Sequence, residues 1–136
     1  MKSCTFIGHR DASEEIKPLI KQTIINLIEK ERVTDFYVGN HGNFDRWVYS
    51  TLKEISEEYG NIYYTVVLAY LLNKKEDVIY KNNTYPEGIE TTPKKFAISF
   101  RNKWMINNSD IIVAYVRHSY GGAAQFLKYA KNQKKI

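Results

Sequence analysis

Four short apolar runs, separated by segments with helical periodicity, constrain this chain more than any other feature of it. Ser3–Ile7 is a compact run that stops at Gly8, and Asp35–Val38 is a second that stops at Gly39. Ile62–Leu68 is rich in β-branched and aromatic residues and reads as a third strand. Asp110–Val116 is uninterrupted, as expected of a strand covered on both faces. Between the first two runs, Ile16, Leu19, Ile20, Ile24, Leu27 and Ile28 recur at the three-and-four spacing that gathers them on one side of a helix. Asp11 or Ser13 suits its cap, Glu14 and Glu15 suit its first turn, and Pro18 must lie close to its start. Phe44, Trp47, Val48, Thr51, Leu52 and Ile55 form a second stripe. Phe96–Asn107 alternates like a strand at its beginning, but Phe100, Trp104 and Met105 favour a helix. A last helix begins near Gly122, with Ala123, Phe126, Leu127 and Ala130 on one side. Strand and helix in regular alternation predict an α/β three-layer domain with a mainly parallel sheet.

At 136 residues, the chain reads as one domain over 1–136. Residues 73–93 are polar and turn-rich, long for a connection, and read as a loop or lid insertion. The single cysteine, Cys4, excludes an internal disulfide framework or a cysteine-rich zinc module and is expected in the core. The apolar start is too brief for a signal-peptide core and no run approaches a membrane span. The expected location is the cytoplasm, with no membrane partner. The formal charge of +5 is uneven: Met1 to Pro93 holds 11 basic and 14 acidic residues, whereas Lys94 to Ile136 holds 9 basic residues and one acid, Asp110. That late basic excess suits an anionic partner or a solvated tail.

In a parallel sheet, ligands bind beyond the carboxyl ends of the strands. Those ends read Gly8-His9-Arg10, then Gly39-Asn40-His41-Gly42-Asn43-Phe44-Asp45-Arg46, then Arg117-His118-Ser119-Tyr120-Gly121-Gly122. All three histidines, five of the seven glycines and three of the five arginines fall there. Glycines let a backbone approach a ligand, a helix start presents its positive end to an anion, and arginine supplies paired donors for phosphate oxygens. Neither the dinucleotide fingerprint nor a phosphate loop ending in Gly-Lys-Ser/Thr occurs, so the convergence of the three loops carries the reading. The histidines are too widely separated for a short-range metal motif, and no metal or cofactor is expected. Asp45 reads first as a helix cap, with a ribose-hydroxyl acceptor or general base as its functional alternative. Trp47 and Trp104 read as packing residues, and Tyr120 as the better stacking candidate. Arg101-Asn102 stands on the helix before the last strand, either beside the site or facing water.

Cys4-Thr5-Phe6-Ile7-Gly8-His9-Arg10 resembles the first-strand signature of the SLOG superfamily, particularly its YpsA-like branch. Gly39-x-x-Gly42-x-Phe44-Asp45 resembles the second motif of that branch. Arg101-Asn102-x-x-Met105, Ser109-Asp110, Gly121-Gly122-Ala123 and Tyr129-Ala130 resemble its C-terminal half. The resemblance implies a Rossmann-like fold and a pocket for nucleotides or molecules derived from them. Relatives in that superfamily include the Lonely Guy phosphoribohydrolases, the DNA-processing protein A and sensor domains of antiviral defence systems. Lonely Guy enzymes carry a Pro-Gly-Gly-x-Gly-Thr-x-x-Glu motif with an active-site Glu. This chain has Ser119-Tyr120-Gly121-Gly122-Ala123-Ala124-Gln125-Phe126-Leu127 instead, which lacks that acid.

The expected function is therefore binding of a nucleotide-derived, phosphate-bearing molecule, such as an ADP-ribose-like or cyclic signal, in a homo-oligomer of two or more copies. The expected contacts are Gly8, His9, Arg10, Gly39, Asn40, His41, Gly42, Asp45, Arg46, Arg101, Arg117, Ser119, Tyr120, Gly121, Gly122 and Ala123. The alternative is hydrolysis or transfer at an N-glycosidic or phosphoribosyl bond, with Asp45 as the acid and His9 or His41 assisting. Nucleic-acid binding through Lys128, Lys131, Lys134 and Lys135 is a third and disfavoured reading, because those lysines also suit a solvated helix face.

Overall fold

The computed structural model describes residues 2–70 and 83–116. The four apolar runs and one polar pair, Asn83–Thr84, form parallel strands: β1 (Lys2–Gly8), β2 (Val33–Val38), β3 (Tyr63–Val67), β4 (Asn83–Thr84) and β5 (Ile111–Tyr115). Their order is β4-β3-β2-β1-β5, and every pairing is parallel. β1 lies between β2 and β5, with Cys4 opposite both Phe36 and Ile111. Its consecutive residues Cys4, Thr5, Phe6 and Ile7 are all buried, because helices cover both of its faces.

Cys4 and Phe6 point into a core shared with α1 (Lys17–Glu29) and α2 (Gly42–Ser56). On the opposite face, Ile7 packs with Ile106 of α3 (Ala97–Asn107), and Thr5 Oγ1 bonds to Met105 O at 3.3 Å. The molecule is thus an α/β three-layer, Rossmann-like domain.

Local chemistry explains the helix starts. Ser13 Oγ accepts from Glu15 N–H at 3.2 Å, and Pro18 occupies the first turn of α1, where its missing N–H has no partner to lose. α2 buries Phe44, Val48, Thr51, Leu52 and Ile55, as its stripe predicts. Trp47 is partly buried, and its indole N–H donates to Ala12 O at 2.9 Å, tying the loop after β1 to α2. Trp47→Phe is expected to lower stability by about 1 kcal/mol through loss of that bond. Urea denaturation of the two proteins would measure it, and an unchanged midpoint would mean that the bond contributes nothing net.

Three expectations need correcting. Leu19 is 63% exposed, since α1 lays only Ile20, Ile24, Leu27 and Ile28 fully against the core and turns Leu19 outward. β5 is an edge strand among the described residues, so only Ile112 of it is buried. The stretch from 73 to 93 is not wholly a loop. Asn83–Thr84 pairs with Val66–Val67 as β4, and short 3-10 turns form at Ile89–Thr91 and, just beyond, at Lys94–Phe96. Pairing on the free edge of β3 needs only backbone, and such a polar pair gives no apolar signal. The helix expected from Gly122 lies outside the described residues.

Candidate functional site

Parallel strands deliver the loops that follow them to one edge, and the loops after β1, β2 and β3 meet there. β1 is where the strand order reverses, which is where such sheets open a crevice. The first two loops are joined directly, for Asn43 N–H donates to Arg10 O at 2.8 Å. Gly42 makes that contact feasible: its φ is +88°, and a Cβ there would lie 2.7 Å from Arg10 Cα.

These loops and α3 enclose a cavity of about 160 Å3, lined by Phe6, Ile7, Gly8, His9, Arg10, His41, Asp45, Ile98, Arg101 and Asn102. A smaller hollow of about 100 Å3 shares Asp45 with it and adds Gly39, Asn40, Gly42, Arg46 and Tyr49.

Asp45 lies between the two. Its Oδ2 accepts from His41 N–H at 3.0 Å, reaching back over the start of α2 as a capping acid does. Burial pushes its carboxyl up to about 6, against the opposing pull of the Arg101 guanidinium, the His41 N–H and Arg10. Arg101 is itself buried, 1% exposed, with Nη1 donating to Val67 O at 3.0 Å and Nε to Asn102 Oδ1 at 2.7 Å. Burial draws its pKa down while Asp45 holds it up, and it remains a cation. Both side chains lean on the bare Cα of Gly39. A Cβ there would lie 2.6 Å from Arg101 Nη1 and 2.7 Å from Asp45 Oδ2.

The aromatic residues set the walls. Phe44 stacks on Tyr115 with ring centroids 5.9 Å apart, and His9 stands edge-on to Tyr115 at 6.2 Å. His41 stands edge-on to Tyr70 at 5.4 Å. Two backbone N–H groups at the start of α2, those of His41 and Asn43, are spent on Asp45 and Arg10. Attraction for an anion therefore falls on the Arg10 and Arg101 side chains more than on that helix end. Asn40 Oδ1 is buried without a hydrogen-bond partner among the described residues.

Of the residues expected at the site, Gly8, His9, Arg10, His41, Asp45 and Arg101 line the larger cavity. Gly39, Asn40, Gly42 and the exposed Arg46 line the smaller one with Asp45. Arg117, Ser119, Tyr120, Gly121, Gly122 and Ala123 lie outside the described residues. Asn102, read with Arg101 as standing beside the site or facing water, lines the larger cavity, whereas Tyr70 and Ile98 were missed as site residues. Tyr70 was legible by the rule applied to the other strand ends, since it closes the Leu68-Ala69-Tyr70 turn after β3. Among the described residues, no group of three or more His, Cys, Asp or Glu side chains is placed to hold a metal ion. Nor is any helix among them long and apolar enough to cross a membrane. Compared with models of protein families and with curated proteins, the chain matches none.

Proposed function

We propose that this protein binds a nucleotide-derived, phosphate-bearing small molecule at the carboxyl edge of β1 and β2, and that it belongs to the SLOG superfamily. One observation carries the binding reading: loops and helices distant in the chain bring Arg10, Arg101, His9, His41 and Asp45 around one cavity at the strand-order reversal. Arg10, on an exposed loop residue, is the donor for phosphate oxygens. Asp45 and Asn40 Oδ1, the latter without a hydrogen-bond partner among the described residues, are acceptors suited to sugar hydroxyls. Membership of the superfamily rests on the motifs from Cys4 to Arg10 and from Gly39 to Asp45, which are the segments that build this edge.

Thermal shift against ADP-ribose, cyclic nucleotides and nucleoside monophosphates tests the reading. At least one class is expected to stabilise the protein, and Arg10→Ala is expected to weaken its binding roughly tenfold, the order of a charged hydrogen bond. No stabilisation by any compound, with no small molecule released on denaturation, would end it.

A second reading, cleavage of an N-glycosidic or phosphoribosyl bond, is favoured by the Asp45 carboxyl alone. With its pKa raised to about 6, it holds a proton in part of the molecules near neutral pH, beside His9 and His41. Incubation with nucleoside monophosphates would release free base under this reading, and Asp45→Asn would stop the release.

A further inference from the structure

The Asp45 cavity, at about 160 Å3, is smaller than the roughly 300–1,000 Å3 of sites that enclose a whole small ligand. It has room for a phosphate or part of a sugar. A much larger groove of about 650 Å3 opens beside it, lined by Ala69, Tyr70, Tyr85, Ile89, Thr92 and Ala97. No residue lines both hollows, but their walls touch. Tyr70 lines the groove and meets His41 of the cavity edge-on at 5.4 Å. The first turns of α3 line both, Ala97 the groove and Ile98 and Arg101 the cavity.

We propose that this groove seats the planar base of the ligand whose phosphate-bearing end lies against Arg10 and Arg101. The ligand class is then nucleotides with an intact base, and not sugar phosphates. The inference rests on the binding reading above and narrows it. Chemistry agrees with geometry. Two tyrosines bring ring surface, Ile89 and two alanines bring apolar walls, and such lining suits a flat heterocycle. Tyr70 is held in place, its hydroxyl donating to Lys94 O at 3.3 Å and the Lys94 ammonium lying 5.7 Å from its ring centroid. The groove is also lined by one acid, Glu90, and one base, Lys94.

Calorimetric titration of the full chain with 5′-AMP and with ribose 5-phosphate tests this. 5′-AMP is expected to bind at least tenfold more tightly, the order of one base stacked on an aromatic ring. Tyr85→Ala is expected to erase that preference while leaving ribose 5-phosphate affinity unchanged, and Tyr85→Phe, which keeps the ring, to retain it. Equal affinities for the two compounds in the wild-type protein would overturn the base subsite and leave the anion reading standing. A Tyr85→Ala protein that keeps the preference would also overturn it, as would one that loses both affinities with Tyr85→Phe no better. If neither compound binds, the binding reading falls and the subsite falls with it.

Discussion

Alanine at position 8 is expected to destabilise the protein by about 3 kcal/mol, the upper end of what overfilling a packed interior costs. It is also expected to weaken binding at the Asp45 cavity. A Cβ on Gly8 would sit inside the envelope of the Phe44 ring. That ring has nowhere to go, being 2% exposed and stacked flat on Tyr115. Phe44 belongs to the first turn of α2, next to Asp45, so relief requires the start of the helix to lift from the end of β1. Lifting it would stretch the Asn43 to Arg10 hydrogen bond and carry Asp45 away from Arg101. Gly60→Ala is the control, because a Cβ there meets nothing within 4 Å. It is expected to leave stability unchanged or raise it by a few tenths of a kcal/mol. Urea denaturation of the three proteins separates these outcomes. A Gly8→Ala protein as stable as the wild type would mean that β1 and α2 do not depend on this close approach.

That approach also shows what the sequence made legible. Gly8 and Gly39 end apolar runs and Gly42 opens the helix after the second, so their place at the carboxyl edge follows from periodicity and the geometry of parallel sheets. The same logic brings His9, Arg10, His41 and Asp45 together, although 28 residues separate the two loops. What stayed hidden depends on contacts between elements whose relative placement no local pattern encodes. Arg101 sits on a helix with little amphipathic character, and only the packing of α3 under β1 buries its guanidinium below Gly39. Its partners are a carbonyl at the end of β3 and its own neighbour Asn102, and the carbonyl leaves no trace in side-chain chemistry. The groove near Tyr85 depends on β4, a pair of residues that joins the sheet through backbone alone. Leu19 misled in the opposite sense: it fits the spacing of α1, yet lies beyond the arc that meets the sheet.

Asp45→Asn is expected to stabilise the protein by roughly 3 kcal/mol at pH 8 and to have no effect near pH 4. The carboxyl titrates at about 6 in the folded protein against 3.8 for an ordinary aspartate, and each unit is worth about 1.4 kcal/mol. The folded state therefore holds this proton more tightly than the unfolded chain does. The resulting contribution is fully present below pH 4 and is lost as pH rises through 6, the reverse of a salt-bridged aspartate. Arg101, Arg10 and the His41 N–H each favour the ionised form, yet burial outweighs them together. Asparagine keeps the oxygen that accepts from His41 N–H and has no charge to desolvate, so it imitates the protonated acid at every pH. The exposed Glu54, whose pKa is held down by Lys21, adds a slope of the opposite sign to both proteins. The difference between wild type and variant, followed by urea denaturation from pH 4 to pH 8, isolates position 45. A gap that stays constant across that range would mean that the carboxylate reaches water, and the case for a strained acid would be lost. A gap that widens as predicted identifies an ionised carboxylate kept at neutral pH against the interest of stability, which is what a group retained for contact with a ligand looks like. Under the binding reading, the more stable asparagine variant is then the weaker binder.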